Sequence, residues 1–191
     1  MKIIFLDIDG VLSTINTRYN YFESDCVNRL NTILDATAAK IVISSTWRKG
    51  RTLQQLQKLF ITQGDKRKIV KNPISIDPST IIGVTPDFNT LEEQDFRIKL
   101  NDDMLFGRGL EICAWLEASI KSNITIESYA VLDDDVADIA PHLHRHIKTH
   151  THYGLNDEDV LKTIQILDRK VSNEDVISKL YWPNWKNNRI S

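Results

Sequence analysis

The first twelve residues constrain the fold of this chain more than any other stretch. Ile3 to Leu6 form a continuous apolar run that Ile8 extends, and Asp7, Asp9 and Gly10 stand at its end. Such a run is typical of a strand buried on both faces, as in the middle of a parallel sheet. In open α/β sheets, ligands bind just outside the carboxyl ends of the strands. The two acids therefore lie where chemistry would be done; two surface acids at a turn is the plainer alternative.

The composition is that of a globular protein with a full hydrophobic core. The chain has 191 residues, of which 41% are hydrophobic and 26% are charged;. A formal net charge of −2 provides no overall basic field for nucleic acid;. No stretch approaches the roughly 18 apolar residues of a membrane span, and the first apolar run is too short for a signal peptide. Cys26 and Cys113 fit no CxxC pattern, so we expect reduced thiols in a cytoplasmic protein;.

Apolar strands alternate with amphipathic helices along the chain. This alternation predicts an α/β fold, Rossmann-like and in three layers, with a mainly parallel sheet. We expect a core over residues 1–170, and a tail over 171–191 that packs on the core or leads into a further region. Further strands are predicted over 40–44, 81–84, 124–132 and 145–150. Helices are predicted near Leu53 and from Arg108, and two more are predicted with Ser24 or Asp25, and Asn156 or Asp157, as their N-caps.

Polar side chains follow three of the predicted strands, and a parallel sheet brings such groups to one edge. Carboxylates that meet there repel one another, and their pKa values rise unless a cation joins them. Hard oxygen ligands suit Mg²⁺, and a metal beside a hydroxyl and an arginine predicts a site for a phosphate group. The groups are Asp7 and Asp9 after the first strand, Ser44, Ser45 and Thr46 after the second, Asp133, Asp134 and Asp135 after a later one, and Arg108 at a helix start.

The order and spacing of these groups resemble the haloacid dehalogenase (HAD) superfamily of phosphohydrolases. The first motif is Asp7-Ile-Asp9-Gly-Val-Leu12, the second is Ile41-Val-Ile-Ser-Ser-Thr46, and the fourth is Val131-Leu-Asp-Asp-Asp135. Arg108 is the best candidate for the basic third motif, with Lys99 and Lys121 as alternatives. The resemblance covers about residues 1 to 168. Shorter stretches are similar to the HAD domains of RNA-repair proteins: Ser45-Thr-Trp-Arg48, residues 108–116, Leu132-Asp-Asp-Asp135, Ile147-Lys-Thr149 and Gly154-Leu155.

The resemblance implies a Mg²⁺-dependent phosphatase that works through an aspartyl-phosphate. Asp7 would attack phosphorus, and Asp9 would protonate the leaving oxygen and then activate a water molecule. Ser45, or Ser44 in another register, would contact the phosphoryl group, and Arg108 would balance its charge. The metal would be held at Asp7, Asp9, Asp133 and Asp134, with Asp135 or Asp138 as supporting or alternate ligands.

The acid at position 9 separates the activities of the superfamily. A dehalogenase needs neither this acid nor the metal, and a transport ATPase of the superfamily carries threonine there. Asp9 therefore implies rapid turnover of the phosphoenzyme, which is the behaviour of a phosphatase. The alternative of another class is a non-catalytic HAD-like module that binds Mg²⁺ and a phosphorylated partner.

The spacing of the motifs leaves no room for a large cap domain. One predicted helix fills much of the segment between the first motif and the second strand, and an insert of at most 65–107 follows the second motif. An open site favours a bulky substrate, either a phosphoprotein, especially one with phosphotyrosine, or a nucleic-acid end or nucleotide. The predicted loop or flap over 13–23, with Trp47, provides aromatic residues that favour an aryl phosphate: Tyr19, Tyr21 and Phe22.

Two further features leave alternatives open. Trp47 forms either a wall for an aromatic group or partly buried packing. All five histidines fall on even positions, which share one face of a continuous strand and would then suit a transition metal;. Pro141 and the turn-like segment 149–154 favour instead solvated histidines or a position at the rim of the site. The five are His142, His144, His146, His150 and His152.

Overall fold

The computed structural model describes residues 1–17, 21–62, 75–87, 107–137, 139 and 142–180. Within these ranges one sheet holds five strands, in the order β3-β2-β1-β4-β5, and every neighbouring pair is parallel. The strand that opens the chain therefore lies in the centre, as its apolar run predicts. The strands are β1 (Lys2–Leu6), β2 (Lys40–Ile43), β3 (Ile81–Val84), β4 (Ser128–Asp133) and β5 (His146–Lys148).

Helices cover both faces of the sheet. Ile4 and Leu6 of β1 face a core cluster to which α1, α2 and α4 contribute, whereas Ile3 and Phe5 face a cluster with α3 and α5. All four side chains are fully buried, which explains why β1 lacks the apolar–polar alternation of a half-exposed strand;. The predicted three-layer Rossmann-like fold is confirmed. The helices are α1 (Ser24–Thr37), α2 (Leu53–Thr62), α3 (Arg108–Lys121), α4 (Asp157–Asp168) and α5 (Asn173–Leu180).

Some predicted element ends are wrong by a few residues. The N-cap of α1 is Glu23, without a side-chain cap, and not Ser24 or Asp25. β4 begins at Ser128 and not at residue 124, because the amides before it bond outside the sheet: Ile124 N donates to Ser119 O. The predicted start of α4 is right, because Asn156 is its N-cap and forms a capping box with Asp159;.

The expected flap over 13–23 is, in its described part, a packed loop. Ser13, Thr14 and Thr17 are buried, and Phe22 lies in the core against Phe60, with ring centroids 5.0 Å apart. Phe22 is therefore unavailable to a substrate, contrary to our expectation. In the tail, Val176 of α5 is buried in the cluster beneath α3.

Several expectations lie outside the described residues. They concern Tyr19, Lys99, Asp138, Pro141, most of the insert over 65–107, and the end of the tail from residue 181. Among the helices that are described, none combines the length and the apolar character that crossing a membrane requires.

Candidate active site

The sheet brings Asp7 and Asp133 side by side on the face covered by α3. Asp7 follows β1, and its amide donates to Leu132 O at 2.9 Å, while Asp133 is the last residue of the neighbouring β4. Side chains alternate between the faces of a strand, so Asp7 shares the face of Phe5, and Asp133 shares that of Val131. These apolar residues belong to the cluster beneath α3. Both carboxylates therefore point toward the layer whose helix begins at Arg108.

Arg108 joins the two carboxylates. Its Nη1 lies 2.9 Å from Asp7 Oδ2 and also donates to Asp133 Oδ2. Burial, and after it the charge of Asp7, raise the pKa of Asp133 to about 7, although Arg108 acts in the opposite direction;. Burial lowers the pKa of Arg108, but the two carboxylates outweigh this and raise it, so Arg108 stays charged. The other cation considered within the described residues, Lys121, pairs with Glu117 at the opposite end of α3.

Three carboxylates form a group with the spacing of a metal site. One oxygen each of Asp7, Asp133 and Asp134 lies within 4.8 Å of the others. Asp135 N donates to Asp133 Oδ1 at 2.9 Å, and Thr151 Oγ1 donates to Asp134 Oδ2 at 2.8 Å, so both carboxylates are oriented. The side chains of Asp9 and of the histidines join no such group within the described ranges.

Gly10 makes room for this group. It has φ +74°, and a Cβ placed there would lie 2.2 Å from Cγ of Asp134. The carboxylate therefore occupies the space that any side chain at position 10 would take. Acidic oxygens brought together in this way, with mutual repulsion that a cation relieves, fit the hard-ligand preference of Mg²⁺.

Asp9 has a different environment from Asp7. Trp47 Nε1 donates to Asp9 Oδ2 at 3.0 Å, while the other oxygen, Oδ1, is buried and has no hydrogen-bond partner among the described residues. Burial raises the pKa of Asp9, the bond from Trp47 lowers it, and the charge of Asp7 raises it. A carboxyl group whose pKa is raised takes up a proton more readily than an ordinary aspartate, which suits acid–base exchange.

The two serines of the second motif differ in what their hydroxyls do. Ser44 continues β2, because its amide donates to Leu6 O at 3.0 Å, which aligns it beside Asp7. Its Oγ is buried and has no partner among the described residues. Ser45 Oγ accepts from Trp47 N at 3.3 Å and caps the short turn 46–48. Among the described residues, the hydroxyl of Ser44 thus has no partner, whereas that of Ser45 accepts one hydrogen bond.

Arg48 has a positioning role that its sequence did not reveal. Its guanidinium is buried and donates to the carbonyls of Ser44 at 2.6 Å and Ser45 at 2.8 Å, at the end of β2. It also donates to Thr85 O at 3.1 Å beyond β3, and it pairs with Glu111 of α3. Arg48 therefore connects the ends of β2 and β3 to α3, the helix that carries Arg108. The sequence signal that could have indicated this role is a basic residue directly after the motif at the end of β2.

The five histidines differ in burial. His142 is buried, contrary to the expectation of solvated or rim histidines, His146 is partly buried and its Nε2 donates to Asp133 O at 3.0 Å, and the other three are exposed: His144, His150 and His152. Trp47 is partly buried and packs on Phe22, with ring centroids 5.9 Å apart. This is packing, combined with the polar contact to Asp9 that the sequence could not indicate.

A parallel three-layer α/β domain with these strand-end motifs is a domain of the HAD class. The chain belongs to the family described as the HAD domain in Swiss Army Knife RNA repair proteins, whose model matches residues 3–160. Neither the search of curated proteins nor the search of solved structures returned a match. HAD domains are in general hydrolases of the phosphatase type, and the acidic group could hold Mg²⁺.

Proposed function

We propose that this protein is a Mg²⁺-dependent phosphomonoesterase that removes the terminal phosphate of a nucleic acid through an aspartyl-phosphate. The observation that carries the proposal is that Asp7 and Asp9 have different environments. Asp7 pairs with Arg108 and belongs to the acidic group with Asp133 and Asp134, whereas the carboxyl group of Asp9 is not a member of that group and accepts a hydrogen bond from Trp47. One charged nucleophile and one proton-exchanging acid are what phosphoryl transfer to a carboxylate requires.

The first step makes the acyl phosphate. Asp7 attacks phosphorus, and the bond to the leaving oxygen breaks while Asp9 supplies a proton to that oxygen. Arg108 offsets negative charge on Asp7 and on the phosphoryl group, and the hydroxyl of Ser44 donates to a phosphoryl oxygen. We choose Ser44 over Ser45 because Ser44 is aligned beside Asp7 and its hydroxyl has no partner among the described residues.

The second step returns the enzyme to its starting state. Asp9, now charged, accepts a proton from water, which attacks phosphorus and releases Asp7 and inorganic phosphate. Asp7, Asp133 and Asp134 would hold Mg²⁺, which when bound lowers the repulsion between the nucleophile and the phosphate dianion. We assign no metal ligation to the side chain of Asp9, whose Oδ2 accepts from Trp47.

The description of the matched family supports the choice of substrate class. Because the matched family is named for RNA repair, we place a phosphorylated RNA end ahead of a phosphoprotein. The burial of Phe22 also removes one of the aromatic residues that favoured phosphotyrosine. A non-catalytic module would have no use for the proton-exchanging environment of Asp9.

The test is hydrolysis of an aryl phosphate and of 5′- and 3′-phosphorylated oligoribonucleotides, with a phosphotyrosine peptide alongside. We expect Mg²⁺-dependent release of phosphate that EDTA abolishes. Asp7→Asn abolishes it too, whereas Asp35→Asn, which changes an exposed acid on α1, leaves it intact. Turnover that survives Asp7→Asn would exclude the mechanism, and an oligonucleotide that the unchanged protein binds but never hydrolyses would support the non-catalytic module.

A further inference from the structure

The loop that follows β5 presents three exposed aromatic rings. They belong to His150, His152 and Tyr153, and 71% of the surface of Tyr153 is accessible. The ring centroids of His150 and Tyr153 lie 4.8 Å apart, those of His150 and His152 lie 5.5 Å apart, and those of His152 and Tyr153 lie 6.3 Å apart. We call these three side chains the ring cluster.

The backbone beneath the ring cluster is firmly held. The carbonyl of His150 accepts from the amides of Tyr153 at 2.9 Å and Gly154 at 2.7 Å, and Asn16 Nδ2 donates to the carbonyl of His152 at 2.8 Å. Gly154 has φ +63°, and a Cβ there would lie 2.6 Å from a backbone oxygen of the turn after β1. The rings are therefore exposed although their backbone is fixed, so a ligand that stacks on them has little loop ordering to oppose it.

The same loop contacts the candidate active site. Thr149 Oγ1 donates to Gly10 O at 2.7 Å, and Thr151 Oγ1 donates to Asp134 Oδ2 at 2.8 Å. Thr151 lies between His150 and His152 in the chain. The residue that donates to Asp134, a member of the acidic group, therefore stands between two residues of the ring cluster.

The charges beside the ring cluster disfavour a phosphate group at the rings themselves. A cavity of about 200 Å³ opens beside His152 and Tyr153, and its wall carries Glu23 and Asp25. The arginine in that wall, Arg29, is already paired with Asp157 at 2.6 Å. Carboxylates repel phosphate, but they accept hydrogen bonds from the amino and ring N–H groups of a nucleobase.

We propose that the ring cluster is the stacking surface for the nucleobase at the phosphorylated end of the substrate. The inference rests on the proposed function, because it assumes that the terminal phosphate of a nucleic acid reacts at Asp7. Bases released from a duplex stack on tyrosine and histidine rings, and this contact tolerates any base because each has a π-face. The ring cluster thereby distinguishes a nucleic-acid end from a small phosphate ester.

The experiment compares Tyr153→Leu, Tyr153→Phe and the unchanged protein on two substrates. One is a phosphorylated oligoribonucleotide, in 5′ and 3′ forms, and the other is glycerol 2-phosphate, whose leaving group has no ring. We expect Tyr153→Leu to lower kcat/KM on the oligonucleotide on the order of tenfold through a higher KM. We expect Tyr153→Phe to retain most of the kcat/KM on the oligonucleotide. We expect neither variant to change the hydrolysis of glycerol 2-phosphate. Leu161→Ala, at another exposed apolar position, is the matched control.

A binding measurement separates this inference from the proposed function. 2-Aminopurine at the phosphorylated end loses fluorescence when it stacks on a ring, with or without turnover. We expect quenching by the unchanged protein and by Asp7→Asn, and loss of quenching with Tyr153→Leu. Quenching without hydrolysis would support the ring cluster while the phosphatase proposal failed. Hydrolysis without quenching, equal losses on both substrates, or a loss confined to a phosphotyrosine peptide would overturn the inference.

Discussion

The indole nitrogen of Trp47 donates a 3.0 Å hydrogen bond to Oδ2 of Asp9. The bond fixes the carboxyl group, whose other oxygen, Oδ1, is buried and has no partner among the described residues. Trp47 thus acts as a positioning residue for the proposed proton shuttle.

Trp47→Phe should lower kcat roughly tenfold with little change in KM, since a hydrogen bond to a charged group contributes about 1.5–3 kcal/mol. Phenylalanine keeps most of the packing on Phe22 but has no N–H. Trp115→Phe is the control, because that indole packs edge-on against Phe5, with ring centroids 5.4 Å apart, beneath α3. Steady-state kinetics on an oligonucleotide provide the measurement, and an unchanged kcat in Trp47→Phe would contradict the role.

Gly10→Ala should raise the Mg²⁺ concentration for half-maximal activity by on the order of tenfold. The new methyl group must displace the carboxylate of Asp134, which lies 2.2 Å from the Cβ position. Gly50→Ala is a matched control, because Gly50 has a similar φ of +69° with nothing within 4 Å of its Cβ position. Both variants should lose about 1 kcal/mol of stability from backbone strain. An equal Mg²⁺ dependence in the two would show that the carboxylate does not hold the metal.

Arg48→Lys should lower the free energy of unfolding by roughly 2–4 kcal/mol, because an ammonium cannot reproduce the fork of a buried guanidinium. The lost contacts include the carbonyls of Ser44 and Thr85. Arg51→Lys, at an exposed arginine that donates to Trp47 O, should cost less than about 0.5 kcal/mol;. Urea denaturation of the two variants tests this, and similar midpoints would mean that Arg48 does not hold the strand ends.

The stability of the protein should fall in mild acid because of His142. Its Nε2–H donates to Gly109 O at 3.0 Å, and its Nδ1 accepts from the Tyr129 hydroxyl at 3.0 Å, so the ring is buried in its neutral form. Burial lowers the pKa of His142 from 6.5 to about 4. Between these pKa values the unfolded chain therefore binds a proton at His142 that the folded chain does not bind. The contribution of the neutral ring to the free energy of unfolding is fully present above pH 6.5 and is lost as the pH falls toward 4.

The size of this loss is on the order of 3 kcal/mol, from linkage across the pKa difference. Urea denaturation at pH values between about 7.5 and about 4.5 measures this loss of unfolding free energy. The loss is taken as the difference between the unchanged protein and His142→Gln, so that the contributions of titrating carboxylates cancel. His144→Gln, at an exposed histidine, should retain the full acid dependence. Parallel curves for the unchanged protein and His142→Gln would refute the assignment.

The acidic group illustrates how far sequence reasoning reaches. The placement of Asp7 and Asp133 at neighbouring strand ends follows from two apolar runs in a parallel sheet, and Arg108 was identified from its position at a helix start. That Arg108 contacts both carboxylates depends on how α3 packs across the sheet. The hydrogen bond that holds Asp9 likewise comes from Trp47, which is 38 residues away in the chain.

The sequence by itself determined the parallel sheet, the central place of β1 and the edge at which the acids meet, because these depend on local apolar periodicity and on the geometry of parallel strands. Only the tertiary structure decided that Arg108 pairs with both Asp7 and Asp133, that the hydroxyl of Ser44 has no partner among the described residues, and that His142 is buried while His150 is exposed. Those outcomes depend on contacts between side chains far apart in the chain. Each contact forms where burial forces a polar group to find a partner, and no local pattern encodes which partner lies within reach.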